Sequence, residues 1–389
     1  MDSKFPAWPE YAKDEIEAVN EVLRSGKVNY WSGEQGTSFE KEFASYVGSK
    51  YAIALANGTV ALEAALYALG VGEGDEVIVP ARTFIATASC VVMRGAIPIV
   101  ADVDLKSGNL TVESIEAART KNTKTIIAVH LGGWPCDMPE IMAYAEKYGL
   151  KVIEDCAQAH GAEINGRKVG TFGHAAAFSF CQDKIISTGG EGGMLVTDDK
   201  DVWSKVWSMK DHGRDYDEVF HRSHGPGHRW LCTTFGTNWR LTEMQSAIGR
   251  IQLKKLPEWL AIRRRYAEMM IEGLSGLRGL NIYLPEKGTL HAYYRFYAFV
   301  DTSVLRSDWN QDRIVEAVNG EGVPCMHGSC AEIYREQAFD STGRPSQRLP
   351  VAQQLGETSI ALLAHPTMGD EEIALTIEAV RKVMHAATL

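Results

Sequence analysis

The chain of 389 residues has no long apolar run, no excess of basic residues and no paired metal-binding motif. No stretch approaches the roughly 18 uninterrupted apolar residues that a membrane-spanning helix needs. The opening residues MDSKFPAWPEYAKDEI lack the apolar core of a signal peptide. The formal net charge of -10 argues against nucleic acid as a main partner, because phosphate backbones need a basic surface. We therefore expect a cytoplasmic protein with no membrane and no nucleic-acid partner.

Cysteines are few and odd in number, seven in all. Reduced thiols in apolar surroundings behave as small hydrophobic groups. Four of the cysteines, namely Cys90, Cys136, Cys156 and Cys181, lie inside or beside apolar runs. The segment CMHGSC places Cys325, His327 and Cys330 close together, but a zinc site needs four ligands and no second pair appears. We predict reduced thiols and no metal.

Short apolar runs that alternate with helical patterns predict an α/β fold. The chain is too long for one ordinary core and suits two domains. Near-continuous apolar strands separated by helices indicate a large, mainly parallel sheet covered on both faces. The seven predicted strands are Tyr51–Ala56, Glu76–Pro80, Ile97–Asp102, Thr125–His130, Lys151–Asp155, Ala175–Cys181 and Gly193–Thr197. The last two leave no room for a helix between them, so we expect an antiparallel or irregular connection there.

The last third of the chain predicts a smaller α+β domain. A helix is expected from about Leu241 to Pro257, which should break or kink it before a second helix at Trp259–Leu274. Further elements are expected around Ile282, Tyr293–Val300 and Val323–His327 as strands, and near Asp370–Ala386 as a final helix. We divide the chain into an N-terminal arm with a large domain, residues 1–255, and a small C-terminal domain, residues 256–389.

The turn after the first predicted strand reads ANGTVALEAAL. Asn57, Gly58 and Thr59 lead directly into a helix, so backbone N–H groups, the positive helix end and the Thr59 hydroxyl point at one place. This arrangement suits a phosphate dianion. The alternative is an ordinary Asn-Gly turn with a threonine N-cap.

Ligands of open parallel sheets bind at the carboxyl ends of the strands, where further candidates lie. Asp155 ends the strand KVIED, and it marks either a site or a solvated or capping carboxylate. With pyridoxal phosphate bound, Asp155 would keep the pyridine nitrogen protonated, and Gln158 could hydrogen-bond the phenolic oxygen. Phe84, in PARTFIAT, either stacks on the ring face or belongs to the core. His160 receives no role.

The stretch FSFCQDKIISTGGEGGMLVTDD carries the strongest chemical signal. Lys184 follows an apolar strand that contains Ser179, and it precedes glycines that let the backbone turn tightly against a bulky planar group. A desolvated lysine amine is a nucleophile for Schiff-base chemistry, whereas a lone lysine is more often a solvated surface residue. The loop matches neither GxGxxG nor a P-loop. A nucleotide-binding oxidoreductase should show GxGxxG after its first strand, and the NGTVAL that stands there argues against this alternative.

In this order, the motifs resemble those of the DegT/DnrJ/EryC1/StrS sugar aminotransferases, a branch of the fold-type-I pyridoxal-phosphate enzymes. The resemblance covers nearly the whole chain, through NGTVAL, PARTFIATA, EDCAQAHGA, FSFCQDKIISTGGEGG, GTNWRLTEMQSAIG and HPTMGDEEIALTIEAV. It implies pyridoxal 5'-phosphate as cofactor, bound covalently by Lys184. It also implies that Asp155 pairs with the pyridinium nitrogen, that Gln158 lies near the ring oxygen and that Phe84 stacks on the ring.

The same resemblance implies where the phosphate is held. Gly58, Thr59 and Ser179 would bind it within one subunit. Asn238, in GTNWR, would reach it from the neighbouring subunit of a homodimer with shared active sites. Arg240 would help to fix the loop that carries Asn238.

The presence of Lys184 favours transamination, because the member of the family that replaces this lysine with histidine performs dehydration. The expected donor is L-glutamate or L-glutamine, and the leading acceptor is a nucleotide-linked 3- or 4-keto-6-deoxyhexose of amino-sugar biosynthesis for O-antigen, polysaccharide or natural products. The runner-up acceptor is a cyclitol ketone or an aminoshikimate-type substrate (AHBA synthase-like), since the FPAWPEY opening also resembles that branch. A pyridoxal-phosphate lyase or dehydratase, and a non-enzymatic cofactor-binding regulator, are further alternatives.

The acceptor is in doubt because parts of the chain depart from the family pattern. The sequence HLGGWPCD stands where many relatives have a more polar stretch. We expect Trp134, the loop Arg214–Arg229 with cations such as Arg222 and His224, and the segment Pro324–Tyr334 to distinguish between acceptors.

Overall fold

A computed structural model describes residues 5–223 and 230–388. Their helices are α1 Lys13–Ser25, α2 Gln35–Val47, α3 Gly58–Ala68, α4 Ala86–Met93, α5 Val112–Ala118, α6 Met138–Tyr148, α7 Lys200–Lys210, α8 Tyr216–Phe220, α9 Glu243–Leu274, α10 Gln311–Gly320, α11 Pro350–Thr358 and α12 Asp370–Ala387. Their strands are β1 Tyr51–Leu55, β2 Glu76–Pro80, β3 Ile97–Ala101, β4 Thr123–Val129, β5 Lys151–Asp155, β6 Glu163–Ile164, β7 Arg167–Lys168, β8 Ala175–Ser179, β9 Gly193–Thr197, β10 Leu280–Asn281, β11 Thr289–Leu290, β12 Phe296–Val300, β13 Cys325–Met326 and β14 Ser359–Leu362. None of these helices combines the length and the apolarity that crossing a bilayer requires.

The large sheet has seven strands in the order β1-β9-β8-β5-β4-β2-β3. β9 runs antiparallel to both of its neighbours, β1 and β8, and the other neighbouring strands are parallel. The loop between β8 and β9 contains no helix, and a parallel pair needs a longer crossover connection. The predicted large and mainly parallel seven-stranded α/β sheet is therefore confirmed, and so is the antiparallel pair.

Aromatic packing fixes the strand that leads to the lysine. Every residue of β8 is buried, because helices cover both faces of the sheet. The Phe178 ring lies 5.0 Å from that of Phe43, and the Phe180 ring lies 5.4 Å from that of Phe39, both partners belonging to α2. This cluster holds the carboxyl end of β8, from which the loop with Lys184 emerges.

A second sheet forms the core of the C-terminal part. Its four strands have the order β10-β12-β14-β13, and all neighbours are antiparallel. β12 begins at Phe296 rather than at Tyr293 as predicted, so the residues just before it are free to face a site. β14 is absent from the prediction because its four buried residues are too short to show a period. A small third sheet joins β11, β6 and β7.

The prediction of a kink or a break at Pro257 is wrong as far as a break is concerned, because no second helix begins at Trp259. α9 continues through this proline as one helix of 32 residues. A proline inside a helix removes one backbone hydrogen bond, but buried Leu256 and Leu260 anchor the helix on either side of it. Because α9 crosses the expected boundary, the division into residues 1–255 and 256–389 remains a proposal.

Candidate active site

The carboxyl ends of β5 and β8, the loop after β2 and the start of α3 surround one cavity of about 790 Å³. This is the edge at which open parallel sheets bind their ligands. The predicted site residues that line it are Gly58, Thr59, Phe84, Asp155, Gln158, Ser179 and Lys184. Residues that are far apart in the chain are thus brought together, and of the predicted cofactor-binding residues only Asn238 does not line this cavity.

The start of α3 is shaped to receive an anion. Asn57 caps the helix, and its side-chain oxygen accepts a hydrogen bond from the N–H of Val60 at 3.0 Å. Thr59 does not cap the helix, so its exposed hydroxyl remains available. A Cβ on Gly58 would lie 2.7 Å from the Cβ of Ser179, so glycine is required for this close approach. The first N–H groups of a helix lack intrahelical acceptors, and with the two hydroxyls they fit the phosphate of a cofactor.

The buried carboxylate of Asp155 faces the same cavity. One of its oxygens accepts a hydrogen bond from the Thr87 hydroxyl at 3.0 Å, and the other accepts one from the N–H of Ala157 at 3.2 Å. Burial raises the pKa of Asp155 above its ordinary value. A buried carboxylate calls for a cationic partner, and a protonated pyridine nitrogen at this position would supply one. Sequence reasoning missed Thr87, which no motif distinguishes from a helix residue.

Gln158 has a fixed amide orientation. Its oxygen accepts a hydrogen bond from the N–H of Gly132 at 2.7 Å, which leaves its NH₂ group as the donor toward the cavity. Gly132 has φ 63°, and a Cβ there would lie 2.8 Å from the Tyr297 ring. The unusual HLGGW sequence therefore has a structural reason, since its backbone sets which atoms Gln158 presents to a ligand.

Next to Asp155 lies a buried cluster of three side chains of the kinds that can bind a metal ion, namely His130, Glu154 and Cys156. His130 Nδ1 accepts the N–H of Cys136 at 3.0 Å, so Nε2 carries the proton and donates it to Glu154 at 3.1 Å. Glu154 also accepts three backbone N–H groups. Both ring nitrogens are engaged, and the group is a hydrogen-bond network that fixes the end of β5. The cysteines of CMHGSC are not part of it.

The amine of Lys184 lies among aromatic and charged groups. Its Nζ is 3.5 Å from the Tyr294 hydroxyl and 3.7 Å from Asp183 Oδ1, and the side chain is 16% exposed. Tyr294 in turn donates a hydrogen bond to Asp183, and Arg295 Nη2 lies 3.5 Å from Asp183 Oδ2. Burial would raise the pKa of Asp183, but the charge of Lys184 and the Tyr294 hydrogen bond hold it below its ordinary value. Asp183, Tyr294 and Arg295 were missed, and the polar residues before the apolar run in HAYYRFYAFV are the signal that could have found the last two.

Phe84 stands at the opening of the cavity with 68% of its surface exposed. It is therefore not a core residue, and the alternative of a core role is wrong. An exposed ring that follows β2 at the ligand-binding edge is available to cover the face of a planar ligand.

The segments expected to distinguish between acceptors lie in different places. Pro324–Tyr334 borders the cavity through Met326, Gly328, Ser329 and Cys330. Trp134 instead lines a separate small cavity with Arg82 and His291. Arg222 forms an ion pair with Glu218, whereas residues 224–229, including His224, lie outside the described residues.

Asn238 is exposed, and the segment that carries it is held by residues from distant parts of the chain. Its backbone bridges to Asp211, whose buried carboxylate forms an ion pair with Arg240. The N–H of Ala56 donates to the carbonyl of Trp239 at 2.8 Å, which ties this segment to the end of β1. The segment is thus fixed close to the start of α3, while the Asn238 side chain stays outside the cavity of its own subunit.

Comparison with known proteins gives a family match over most of the chain. A model of the DegT/DnrJ/EryC1/StrS aminotransferase family matches residues 9–381. UDP-N-acetyl-3-dehydro-alpha-D-glucosamine 3-aminotransferase of Acidithiobacillus ferrooxidans is 38% identical over 381 residues, covering 96% of this chain and 95% of that protein. GDP-perosamine synthase of Escherichia coli O157:H7 is 33% identical and covers 96% of each chain.

Solved structures agree with the fold. The X-ray structure of an aminotransferase from Psychrobacter cryohalolentis is 51% identical, with a TM-score of 0.97, and covers 98% of this chain and 99% of that one. The crystal structure of 3-amino-5-hydroxybenzoic acid (AHBA) synthase is 29% identical, with a TM-score of 0.89 and complete coverage of both chains. Since the family match and these relatives extend over nearly the whole length, the chain belongs to the DegT/DnrJ/EryC1/StrS aminotransferase family and is a pyridoxal-phosphate-dependent aminotransferase.

Proposed function

We propose that this aminotransferase moves an amino group from L-glutamate or L-glutamine to the keto group of a nucleotide-linked ketosugar, a 3- or 4-keto-6-deoxyhexose. The product would serve amino-sugar biosynthesis for O-antigen, polysaccharide or natural products. The observation that carries this proposal is the convergence of Lys184, Asp155 and the helix start at Gly58 on one cavity, in a chain with relatives named for nucleotide sugars. When bound, pyridoxal phosphate supplies an electron sink for a carbanion.

The chain's own residues have distinct tasks in this proposal. With pyridoxal phosphate bound, the Lys184 amine would hold the cofactor through its aldehyde and would serve as the general base that takes the proton from the donor's α-carbon. Tyr294 gives the displaced amine a hydrogen-bond partner. Asp155 holds the proton on the ring nitrogen, Gln158 donates to the ring oxygen, and Phe84 covers the ring face.

The phosphate site is proposed to be shared between two subunits. Gly58, Thr59 and Ser179 hold the phosphate from one side. Asn238 of the partner subunit approaches from the other, which makes the enzyme a homodimer. The exposed position of Asn238, on a segment fixed by Arg240, supports this arrangement. A cytoplasmic location remains a prediction from the sequence.

Arg295 is proposed to receive the donor's α-carboxylate. Among the described residues that line the cavity, Lys184 and Arg295 are the only lysine or arginine side chains. Lys184 is committed to the cofactor, so Arg295 is the cation left for a substrate anion. Its ion pair with Asp183 is long, at 3.5 Å, and a guanidinium can bind a carboxylate through two parallel hydrogen bonds.

The proposal is tested first at Lys184. Borohydride reduction of the purified enzyme should fix the cofactor to the peptide that contains this residue. Lys184→Ala should abolish both the visible absorbance of the bound cofactor and the formation of 2-oxoglutarate from glutamate. Label on another peptide, or full activity of the variant, would refute the assignment. Turnover without 2-oxoglutarate or another oxo acid from the donor would indicate a lyase or dehydratase.

A second acceptor class has an observation in its favour. AHBA synthase matches this chain over its complete length, so a cyclitol ketone or an aminoshikimate-type substrate is the alternative. The enzyme is first converted with glutamate to its amino-carrying form. It is then offered nucleotide ketosugars, cyclitol ketones and aminoshikimate precursors, and recovery of the original absorbance identifies the acceptor. Recovery with the free ketones alone would contradict the nucleotide-sugar proposal.

A further inference from the structure

The N-terminal residues 5–12, here called the arm, lie against the loop that carries Lys184. The indole N–H of Trp8 donates a hydrogen bond to the backbone carbonyl of Lys184 at 2.8 Å. This contact joins two residues that are 176 positions apart in the chain. The arm therefore acts on the backbone of the very residue whose amine performs the chemistry.

A second side chain of the arm contacts the same loop. The Tyr11 hydroxyl lies 3.0 Å from Ser187 Oγ, and it accepts the backbone N–H of Gly189 at 3.2 Å. Gly189 and Gly190 have φ values of 79° and 111°. Glycine loses the most conformational freedom on ordering, so this part of the loop gains most from an external contact.

Trp8 is itself held in place on several sides. Its ring meets the edge of Trp259 at 5.1 Å, lies against His365 at 6.0 Å and has the Arg263 guanidinium at 5.2 Å from its centre. Arg263 is buried, and burial lowers its pKa to about 9. The Thr367 hydroxyl also donates to the carbonyl just before Trp8, at 2.9 Å. The orientation of the indole N–H is thus set by residues that do not belong to the loop with Lys184.

We propose that the arm is a strap that positions the lysine, with Trp8 and Tyr11 as positioning residues. Lys184 must reach the cofactor's aldehyde and, when displaced, the proton of the substrate's α-carbon. Both tasks require its backbone to stay in one place while the side chain moves, and the two hydrogen bonds supply this fixed point. The inference rests on the proposed role of Lys184 and gives a function to the FPAWPEY segment.

Conservative variants separate positioning from packing. Trp8→Phe keeps an aromatic ring among Trp259, His365 and Arg263 but removes the N–H donor. Tyr11→Phe keeps the ring and removes the hydroxyl, and it serves on its own if the Trp8 variant does not fold. Glu10→Gln, at an exposed position on the same arm, is the matched control.

Two measurements are made on each variant. Hydrogen exchange of the amides at 184–190 is measured in the cofactor-free and the loaded protein, so this readout does not depend on the acceptor. Exchange in this segment should become roughly fivefold to tenfold faster when either hydrogen bond is lost. The pH titration of the visible absorbance of the lysine-bound cofactor should also shift its midpoint, and kcat should fall by about the same factor with KM nearly unchanged.

Faster exchange confined to the lysine loop, with a shifted titration midpoint and a normal Glu10→Gln control, supports the strap. Variants that lose thermal stability while loop exchange, titration midpoint and kcat stay as in the parent protein would overturn it, because the arm would then only pack. Failure of borohydride to label Lys184 would instead remove the proposed function, whatever the exchange data show.

Discussion

Single side chains in the cavity are oriented by partners from distant parts of the chain. Thr87 fixes Asp155, Gly132 fixes the amide of Gln158, and Tyr294 lies beside the amine of Lys184. For Gln158 this contact also decides that its NH₂ group faces the cavity, because the amide oxygen is already engaged. At this scale, chemistry depends on hydrogen bonds that a motif search does not see.

Arg295→Gln tests the carboxylate site. Because the loss of a charged hydrogen-bond pair weakens anion binding, KM for glutamate should rise about tenfold or more, while the half-reaction with the keto acceptor should change little. Stopped-flow absorbance of each half-reaction measures this. Arg265→Gln is the control, since Arg265 is half-exposed on α9 and pairs with Asp370. An equal loss in both half-reactions would speak against a role in donor binding.

At the scale of the elements, a single carboxylate joins two helices, α2 and α9. α2 has no side-chain cap of its own. Instead Glu243, in the first turn of α9, accepts the N–H groups of Gln35 at 2.6 Å and Gly36 at 2.9 Å. A carboxylate at a helix start satisfies N–H donors and interacts favourably with the helix dipole. α2 carries Phe39 and Phe43, so this contact also supports the strand that leads to Lys184.

Glu243→Gln should lower the free energy of unfolding by about 1–3 kcal/mol. The NH₂ group of the new glutamine would face one of the two backbone N–H donors, and it cannot accept a hydrogen bond from it. Urea denaturation measures the change. Glu371→Gln is the matched control, since Glu371 is also an acid in a first helical turn, in α12, but is exposed. Its effect should stay within about 0.5 kcal/mol. Similar effects of both substitutions would show that the buried contact contributes nothing special.

At the scale of the whole molecule, the proposed site needs two chains. Lys184 lies in the cavity of one subunit, and Asn238 is exposed on a segment fixed beside the start of α3. A closed dimer would give each cavity one Lys184 from its own chain and one Asn238 from the other.

Mixing two impaired variants tests this sharing. Lys184→Ala has no amine, and Asn238→Ala should bind the cofactor weakly. After the subunits exchange, a mixed dimer contains one cavity with both native residues, so activity should return to about a quarter of the parent level. Assays before and after exchange measure the recovery. Two Lys184→Ala populations are the control, and no recovery in the heterologous mixture would contradict the shared site.

Acid should destabilise the folded chain through its buried histidines. Burial lowers the pKa of His160, His291 and His365 to about 3, whereas the unfolded chain titrates near 6.5. Between these values the unfolded state binds more protons than the folded state. The contribution of these histidines to the free energy of unfolding is therefore fully present above about pH 6.5 and is lost as the pH drops toward 3. Each histidine should add about 1.4 kcal/mol per pH unit to the slope.

His160→Leu should remove one such contribution from the pH dependence. Its ring packs 5.4 Å from Phe178 and 5.8 Å from Phe180, so an apolar side chain suits the position. Urea denaturation between about pH 5 and pH 8 gives the slope. Exposed His385→Leu is the control. An unchanged slope in His160→Leu would show that this histidine is not the titrating group.

The seven strands of the large sheet and the candidate residues of the site could be predicted from the sequence. Buried parallel strands leave apolar runs, and the candidate residues stand at or soon after the carboxyl ends of those runs, since Asp155 is the last residue of β5 and Lys184 lies in the loop that follows β8. Local rules also gave the antiparallel pair of β8 and β9, because the length of a connection limits the direction of the next strand. These features depend on neighbours in the chain, so the sequence by itself determined them.

The contacts between distant segments were decided by the tertiary structure alone. The unbroken course of α9 through Pro257 depends on leucines packing on either side of it. The donation from Trp8 to Lys184, and the approach of Tyr294 and Arg295 to the cavity, join positions more than 100 residues apart. No local sequence pattern encodes such contacts, because they depend on how the helices pack on the sheets. These side chains can meet only when the chain has folded.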